Sequence, residues 1–346
     1  MMETTNQSMR LRTETFSIMK VLLCVLVVAG HLFRMNSPES AIPGNILSPV
    51  LSWLCDFIYN FHMEAFVAVS GGIFWFVKVH KAKYQNDKVF ARKKIIRLLV
   101  PYALFFVLMV VPTLYACGLA YGNPVKFTLF NLALCHDVRH LWFLPMLFLC
   151  FIVVNTCHAF IERHNFMTLI ILTALFFLPM PTLPFQLGNV CHYLLFFFLG
   201  YLLMKNFHEI TKYFHPLVII PTLGILIAYT FLPEELDNRF FQLMGAVLGL
   251  VFITALSFQL LNSSFSQANW FQRIGKNSFG IYLFHAMIIY LIFAFIGDKI
   301  SSPAIFDIIV LPLLVIVSTF LSELTRFLNL GFMIGESKPS SKKLSV

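Results

Sequence analysis

Charge is scarce in this chain. Only 12% of its 346 residues are Asp, Glu, Lys or Arg, whereas 59% are hydrophobic and 40 are Phe. The mean hydropathy is +0.81. A water-soluble fold has too little interior to hide that much apolar surface. An ordinary soluble two-domain enzyme is thereby excluded, and lipid is the expected solvent. A C-x-x-C pair is also missing. The seven cysteines, Cys24, Cys55, Cys117, Cys135, Cys150, Cys157 and Cys191, lie mostly in or beside apolar runs. They read as small buried hydrophobes, not as zinc ligands or redox pairs. No long linker or internal repeat is evident, and no small-residue cleavage site follows the first apolar run. That run reads as a retained span and not as a signal peptide. Acidic residues number 16 against 25 basic ones, a formal net charge of +9. In a chain this apolar the excess points to basic cytoplasmic loops, not to nucleic acid.

What the sequence does have is long apolar runs, and about 20 such residues cross a bilayer as a helix. Ten runs fit that template: Phe16–Phe33, Phe57–Val77, Ile95–Tyr115, Leu141–Ile161, Phe166–Pro181, Val190–Met204, Leu217–Leu232, Phe240–Leu261, Phe279–Ile296 and Ala304–Leu324. The fifth and sixth are short and flanked by proline. The expected fold is an all-α polytopic membrane bundle of about ten helices. It forms a single membrane domain over residues 1–346, with tails at 1–15 and 326–346. If the N-terminus is cytoplasmic, 20 of the 25 Lys and Arg fall on the cytoplasmic side; Arg34, Lys126, Arg139, Arg239 and Lys299 are the exceptions. By the positive-inside rule this places both termini in the cytoplasm.

Ionisable residues at membrane depth are costly and are functional candidates by default. In "KVLLCVLVVAGH", Lys20 and His31 are eleven positions apart. At 100° per residue both lie on one helix face, about 16 Å apart along the axis. Lys20 falls toward the cytoplasm and His31 toward the outside. In "FHMEAFVAVSGG", His62 and Glu64 sit just inside the outer surface, and Gly71 and Gly72 suit close helix packing. In "ARKKIIRLLVPY", Lys94 and Arg97 are neighbours on one face, where two cations repel unless they share an anion such as a phosphate. In "CHDVRHLWFLP", His136 and His140 have i, i+4 spacing but no second ligand pair, so a metal site is not expected. Trp142 there suits an interfacial belt or a platform for a sugar ring. In "GKNSFGIYLFH", Ser278, Tyr282 and His285 share a face, placed in the inner half of the membrane. Two layers result. Lys20, Lys94 and Arg97, with Tyr282 and His285 a little deeper, form a basic inner mouth; His31, His62, Glu64, His140 and Trp142 form an outer chamber. That pattern suits a long anionic donor entering from the cytoplasm, and it also suits an anion transporter.

These segments resemble the acyltransferase 3 family of membrane O-acyltransferases, and within it the bacterial enzymes that O-acetylate cell-surface and exopolysaccharide sugars. Lys20-x10-His31 is similar to the family's first-span Arg/Lys-x10-His signature. "FHMEAFVAVSGG" is similar to FHMP-x-FF-x-x-SG, and Lys94-x-x-Arg97 with "LLVPY" to R-x-x-R-L-L-x-P-Y. "HLWFLPMLF" and "NSFGIYLFH" resemble H-L-W-F-L and S-x-x-IY-x-x-H. The likeness covers the whole chain. Lys20 and Lys94 stand where Arg is commoner, keeping charge but losing a bidentate fork, and Glu64 stands where Pro is frequent. No hydrolase-like domain follows the last span, which implies that the membrane domain itself delivers the acyl group.

The resemblance implies an enzyme that moves an acyl group, acetyl by analogy, from cytoplasmic acyl-CoA to a hydroxyl of a surface or lipid-linked glycan. Acyl-CoA is then a substrate, with no tightly bound cofactor, and the protein sits in the bacterial cytoplasmic membrane among its lipids. His31 is the implied general base or transient acyl carrier, with Glu64 a second candidate catalytic group. Lys20, Lys94, Arg97, Tyr282 and His285 are the donor-side candidates; His62, His140 and Trp142 are the acceptor-side ones. Tyr282 or a backbone amide is the candidate oxyanion donor. A transporter or flippase of an anionic or lipid-linked sugar is the rival reading. A sensor or scaffold is disfavoured by the short loops.

Overall fold

The computed structural model describes residues 2–42, 46–180, 183–214, 216–231 and 238–336. Among them there is no strand. Eight helical stretches are long and apolar enough to cross a bilayer: Met9–Arg34, Pro49–His80, Asp87–Ala116, Pro124–Thr156, Pro184–Lys205, Arg239–Asn262, Asn269–Lys299 and Pro303–Phe327. Two shorter apolar helices, Asn165–Phe177 and Pro216–Tyr229, fall between the fourth and sixth and the sixth and eighth of the ten expected runs. At 1.5 Å per residue each is only about 20 Å long, short of the roughly 30 Å hydrocarbon core. Counting these two with the eight long stretches, the spans below are numbered one to ten in chain order. Pro181 and Leu232, the expected ends of the fifth and seventh runs, lie outside the described residues, as does the tail beyond Glu336.

Local chemistry explains where the helices begin. Asn86, Asn123 and Asn238 each accept backbone N–H bonds from two residues in the first turn ahead of them. Ser48 accepts from Leu51 N–H, and Pro49 and Pro124 occupy first-turn positions where a missing N–H costs nothing. The second span is broken at Asn60 and Phe61, so it comprises the helices Pro49–Tyr59 and His62–Trp75 with a π-helical extension Phe76–His80. In the third span two π-helical turns, Ile95–Leu99 and Phe106–Val110, end just before Val100-Pro101 and Val111-Pro112. A proline cannot complete the i→i−4 ladder, and the wider turn ahead of it absorbs the misfit. Arg97 sits at the middle of the first of these turns.

Burial is dominated by phenylalanine: Phe61, Phe106, Phe196, Phe197 and Phe198 are fully buried. The tightest crossing joins the second and sixth spans. A Cβ on Gly200 would lie 1.7 Å from the Ala68 carbonyl oxygen, and one on Gly71 would lie 1.8 Å from that of Phe197. Backbone meets backbone there, and in lipid this close approach replaces a hydrophobic driving force. Gly200→Ala is therefore expected to lower the thermal unfolding midpoint of detergent-purified protein, by an overpacking cost of at least about 1–3 kcal/mol. Gly224→Ala, with no atom within 4 Å of the new methyl group, is the control expected to leave it unchanged. Equal midpoints for the two variants would show that this crossing is not as tight as described.

Candidate active site

The first span is the ruler of the site. Lys20 and His31, both half-buried, lie on its one face at opposite ends of an apolar run. At the His31 end three imidazoles converge. The His31 ring centroid is 5.1 Å from that of His285 and 6.5 Å from that of His140, and the latter two are 5.6 Å apart. Tyr59 Oη is 3.4 Å from His31 Nδ1, and the Arg34 guanidinium lies 5.1 Å above the Tyr59 ring. His62, from the start of the next helix, stacks edge-on against Tyr59 with centroids 4.7 Å apart.

Backbone carbonyls set the tautomers of the buried rings. His285 Nδ1 is 3.0 Å from Ile281 O, and His62 Nδ1 is 2.8 Å from Ile58 O, the carbonyl four residues back in each case. His140 Nε2 is 3.3 Å from Leu283 O. A carbonyl only accepts, so each of these nitrogens carries its hydrogen and the other ring nitrogen carries a lone pair. For His285 Nε2 and His140 Nδ1 that lone pair is buried and unpartnered among the described residues. Two bare imidazole nitrogens thus belong to the cluster that holds His31.

His140 reaches this cluster through an irregular loop. The helix Pro124–Leu134 ends at Cys135, whose left-handed φ of 52° turns the chain; Arg139, at φ 51°, turns it again into the short 3-10 turn Arg139–Trp142. The ninth span holds the loop at two points. Tyr282 Oη donates to His140 O at 2.5 Å, and Leu283 O accepts from the His140 ring. This loop geometry corrects two expectations. His136 and His140 are not successive turns of one helix: His140 is buried against His285, whereas His136 is exposed on the rim of an outer cavity. The Tyr282 hydroxyl is spent on a carbonyl, so it is not available as the oxyanion donor.

At the Lys20 end cations predominate, with Glu14 also lining the Lys20 cavity. Lys94 and Arg97 line a cleft of about 460 Å³ with Arg92, Lys93 and Tyr84. Lys94 Nζ lies 3.2 Å over the Phe151 ring and Arg97 Cζ 4.3 Å over Phe279, contacts in which aromatic faces attract the cations. Arg97 is exposed and donates from Nη1 to the carbonyls of Ile334 and Gly335, at 3.2 and 3.4 Å. Lys20 lines a neighbouring cavity of about 540 Å³ with Lys276 and Gln272, and is close enough to Arg97 to feel its charge.

Beyond His31 two further cavities open. The larger, about 700 Å³, is lined by Glu64, His136, His192, Tyr193 and Arg239, among others. The smaller, about 380 Å³, includes Tyr59, Asp56 and again Glu64 and His192. Glu64 Oε1 accepts from His192 Nε2 at 3.2 Å, and Arg239 Nη1 lies 3.2 Å from His192 Nδ1. Trp142 packs on Tyr193 at 5.5 Å, beside this cavity.

The expected site residues therefore assemble into three groups, not the two drawn from the sequence. Lys20, Lys94 and Arg97 gather at one end. His31, His62 and His140 gather at the other, and Tyr282 and His285 belong with them, not with the donor-side cations. Glu64 and Trp142 stand further along, at the larger cavity. Among the described residues no group of three or more His, Cys, Asp or Glu is arranged to hold a metal ion. Sequence reasoning missed Tyr59, His192 and Arg239. For His192, in "NVCHYLLFFF", the rule on ionisable residues at membrane depth was signal enough. The same rule flags Asp307, buried in the tenth span and receiving Asn36 Nδ2 at 3.0 Å.

The bundle is that of a polytopic membrane protein, with three imidazoles converging between its helices. The acyltransferase-domain profile of the acyltransferase 3 family matches residues 14–323, nearly the whole chain, and the protein belongs to that family of membrane acyltransferases. No curated protein and no solved structure matches it.

Proposed function

We propose that this acyltransferase takes an acyl group, acetyl in the simplest case, from cytoplasmic acyl-CoA and places it on a hydroxyl of a surface or lipid-linked glycan. The supporting observation is the position of His31 on the first span. It lies about three helical turns from a cluster of Lys20, Lys94 and Arg97, and its Tyr59 neighbour lines a cavity on its other side. The cationic end suits the phosphates of CoA, whose pantetheine arm is slender enough to lead the thioester between helices. In the tautomer whose Nδ1–H is donated to Tyr59, His31 Nε2 carries the lone pair a base needs. The acceptor oxygen gives its proton to His31 and attacks the thioester carbonyl. The C–O ester bond forms, the C–S bond breaks, and the proton passes to the departing CoA sulfur. The basic split of the loops supports placing both termini in the cytoplasm, in the bacterial cytoplasmic membrane.

Deletion of the gene is expected to remove one O-acyl substituent from the cell's glycans by mass spectrometry, restored by the wild-type chain and not by His31→Gln. Reporter fusions after Asp87 and after Tyr121 are expected to report opposite sides of the membrane. An unchanged glycan profile, or both reporters on one side, rejects this reading.

A further inference from the structure

The outer cavity of about 700 Å³ contains a relay that the reaction just described does not use. Its polarity follows from the atoms involved. A guanidinium only donates, so Arg239 Nη1, 3.2 Å from His192 Nδ1, requires a lone pair on that nitrogen. The hydrogen of the neutral ring is then on Nε2, directed at Glu64 Oε1 at 3.2 Å. Arg239 thus holds His192 in one tautomer, and His192 holds the Glu64 carboxylate. The Phe176 ring packs on both, 4.7 Å from the His192 ring centroid and 5.8 Å from the Arg239 guanidinium carbon. The other oxygen, Glu64 Oε2, is buried and has no hydrogen-bond partner among the described residues. A buried carboxylate oxygen left unpaired is expensive. The side chain is only 12% exposed, yet it lines both outer cavities, the larger one and the smaller one that reaches Tyr59, the neighbour of His31.

The chemistry of the place restricts its ligand. A carboxylate accepts hydrogen bonds and cannot give them, so the partner must be a donor. The negative charge of Glu64 is matched by Arg239 through a neutral imidazole, which leaves no net charge to draw an ammonium group. Tyr193, with Trp142 packed on it, supplies an aromatic wall. About 700 Å³ is within the range of small-molecule sites. A neutral polyhydroxyl ring meets all of these conditions. Resting on the glycan-acyltransferase reading above, we propose that Glu64, oriented by His192 and Arg239, binds a second hydroxyl of the acceptor while the reacting hydroxyl lies at His31. Glu64 is then a specificity-determining residue, and His192 and Arg239 are positioning residues.

The test uses the full-length detergent-purified protein, labelled acetyl-CoA, and glycans extracted from cells lacking the gene. Glu64→Gln is expected to raise the acceptor KM about tenfold or more, the loss of one charge-assisted hydrogen bond, while the Kd for acetyl-CoA stays unchanged. His192→Ala is expected to do the same, and His192→Gln, whose amide N–H still reaches the carboxylate, to recover part of the loss. If Glu64→Gln does not fold, as judged by acetyl-CoA binding, Arg239→Gln at the half-exposed rim carries the test, with a raised acceptor KM again expected. An unchanged acceptor KM, or a fall in kcat alone, overturns the proposal. A wild-type enzyme that acylates none of the extracted glycans overturns instead the reading on which it rests.

Discussion

His31→Gln is expected to fold, to bind acetyl-CoA with wild-type affinity, and to lose glycan acylation by a factor of roughly 10²–10⁴, or about 3–5 kcal/mol of barrier. The glutamine amide retains a hydrogen-bonding group near Tyr59 Oη, now 3.4 Å from the imidazole, but it cannot take up a proton. Position is thereby separated from proton transfer. The measurement is transfer from labelled acetyl-CoA by variants matched for folding. Lys20→Arg is the accompanying conservative change, expected to be tolerated because the position needs charge. Substantial transfer by His31→Gln would leave His31 a positioning role only. The base would then be sought at Glu64 or at His140 and His285, whose buried lone pairs belong to the same cluster.

Arg97→Ala is expected to weaken acetyl-CoA binding by roughly 10- to 100-fold, the range for losing one charge-assisted hydrogen bond to a phosphate. Arg97 Nη1 already donates to two carbonyl oxygens, those of Ile334 and Gly335, so its hydrogens point at acceptors of the kind a phosphate would replace. Arg97→Lys should fall between, since an ammonium keeps the charge but not the fork. The loss should shrink as salt is raised, because this cation is exposed and screened. Calorimetric titration of purified protein with acetyl-CoA decides the matter. An unchanged Kd in Arg97→Ala would remove Arg97 from the donor site.

The legible part of this protein was written in one dimension. Lipid solvation demands continuous apolar runs, so the helical bundle and the order of its spans could be read directly. Of the two runs read as short, the fifth is the short helix Asn165–Phe177, but the sixth lengthens to the full span Pro184–Lys205; the seventh, Pro216–Tyr229, is the other short helix. Lys20 and His31 were found because a charge in an apolar run has no cheap structural excuse. Their separation followed from helix geometry alone. Lys94 and Arg97 were found from their spacing within one helix.

Contacts between helices were not legible in this way. Depth along a span was misjudged for His285, assigned to the donor side with Tyr282. Its ring in fact lies 5.1 Å from His31, and the irregular loop at Cys135–Arg139 carries His140 into the same cluster. The partners of Glu64 were hidden for a similar reason. His192 is 128 residues away and Arg239 a further 47, and each reads alone as an isolated ionisable group. By itself, then, the sequence determined the solvent of this protein, its helices and the residues too costly to be idle, because those depend on local composition and period. Only the tertiary structure decided which of these residues meet. Meeting depends on where backbones can approach, as at Gly71 and Gly200, and on which carbonyls capture which ring nitrogens, and neither is a property of any one segment.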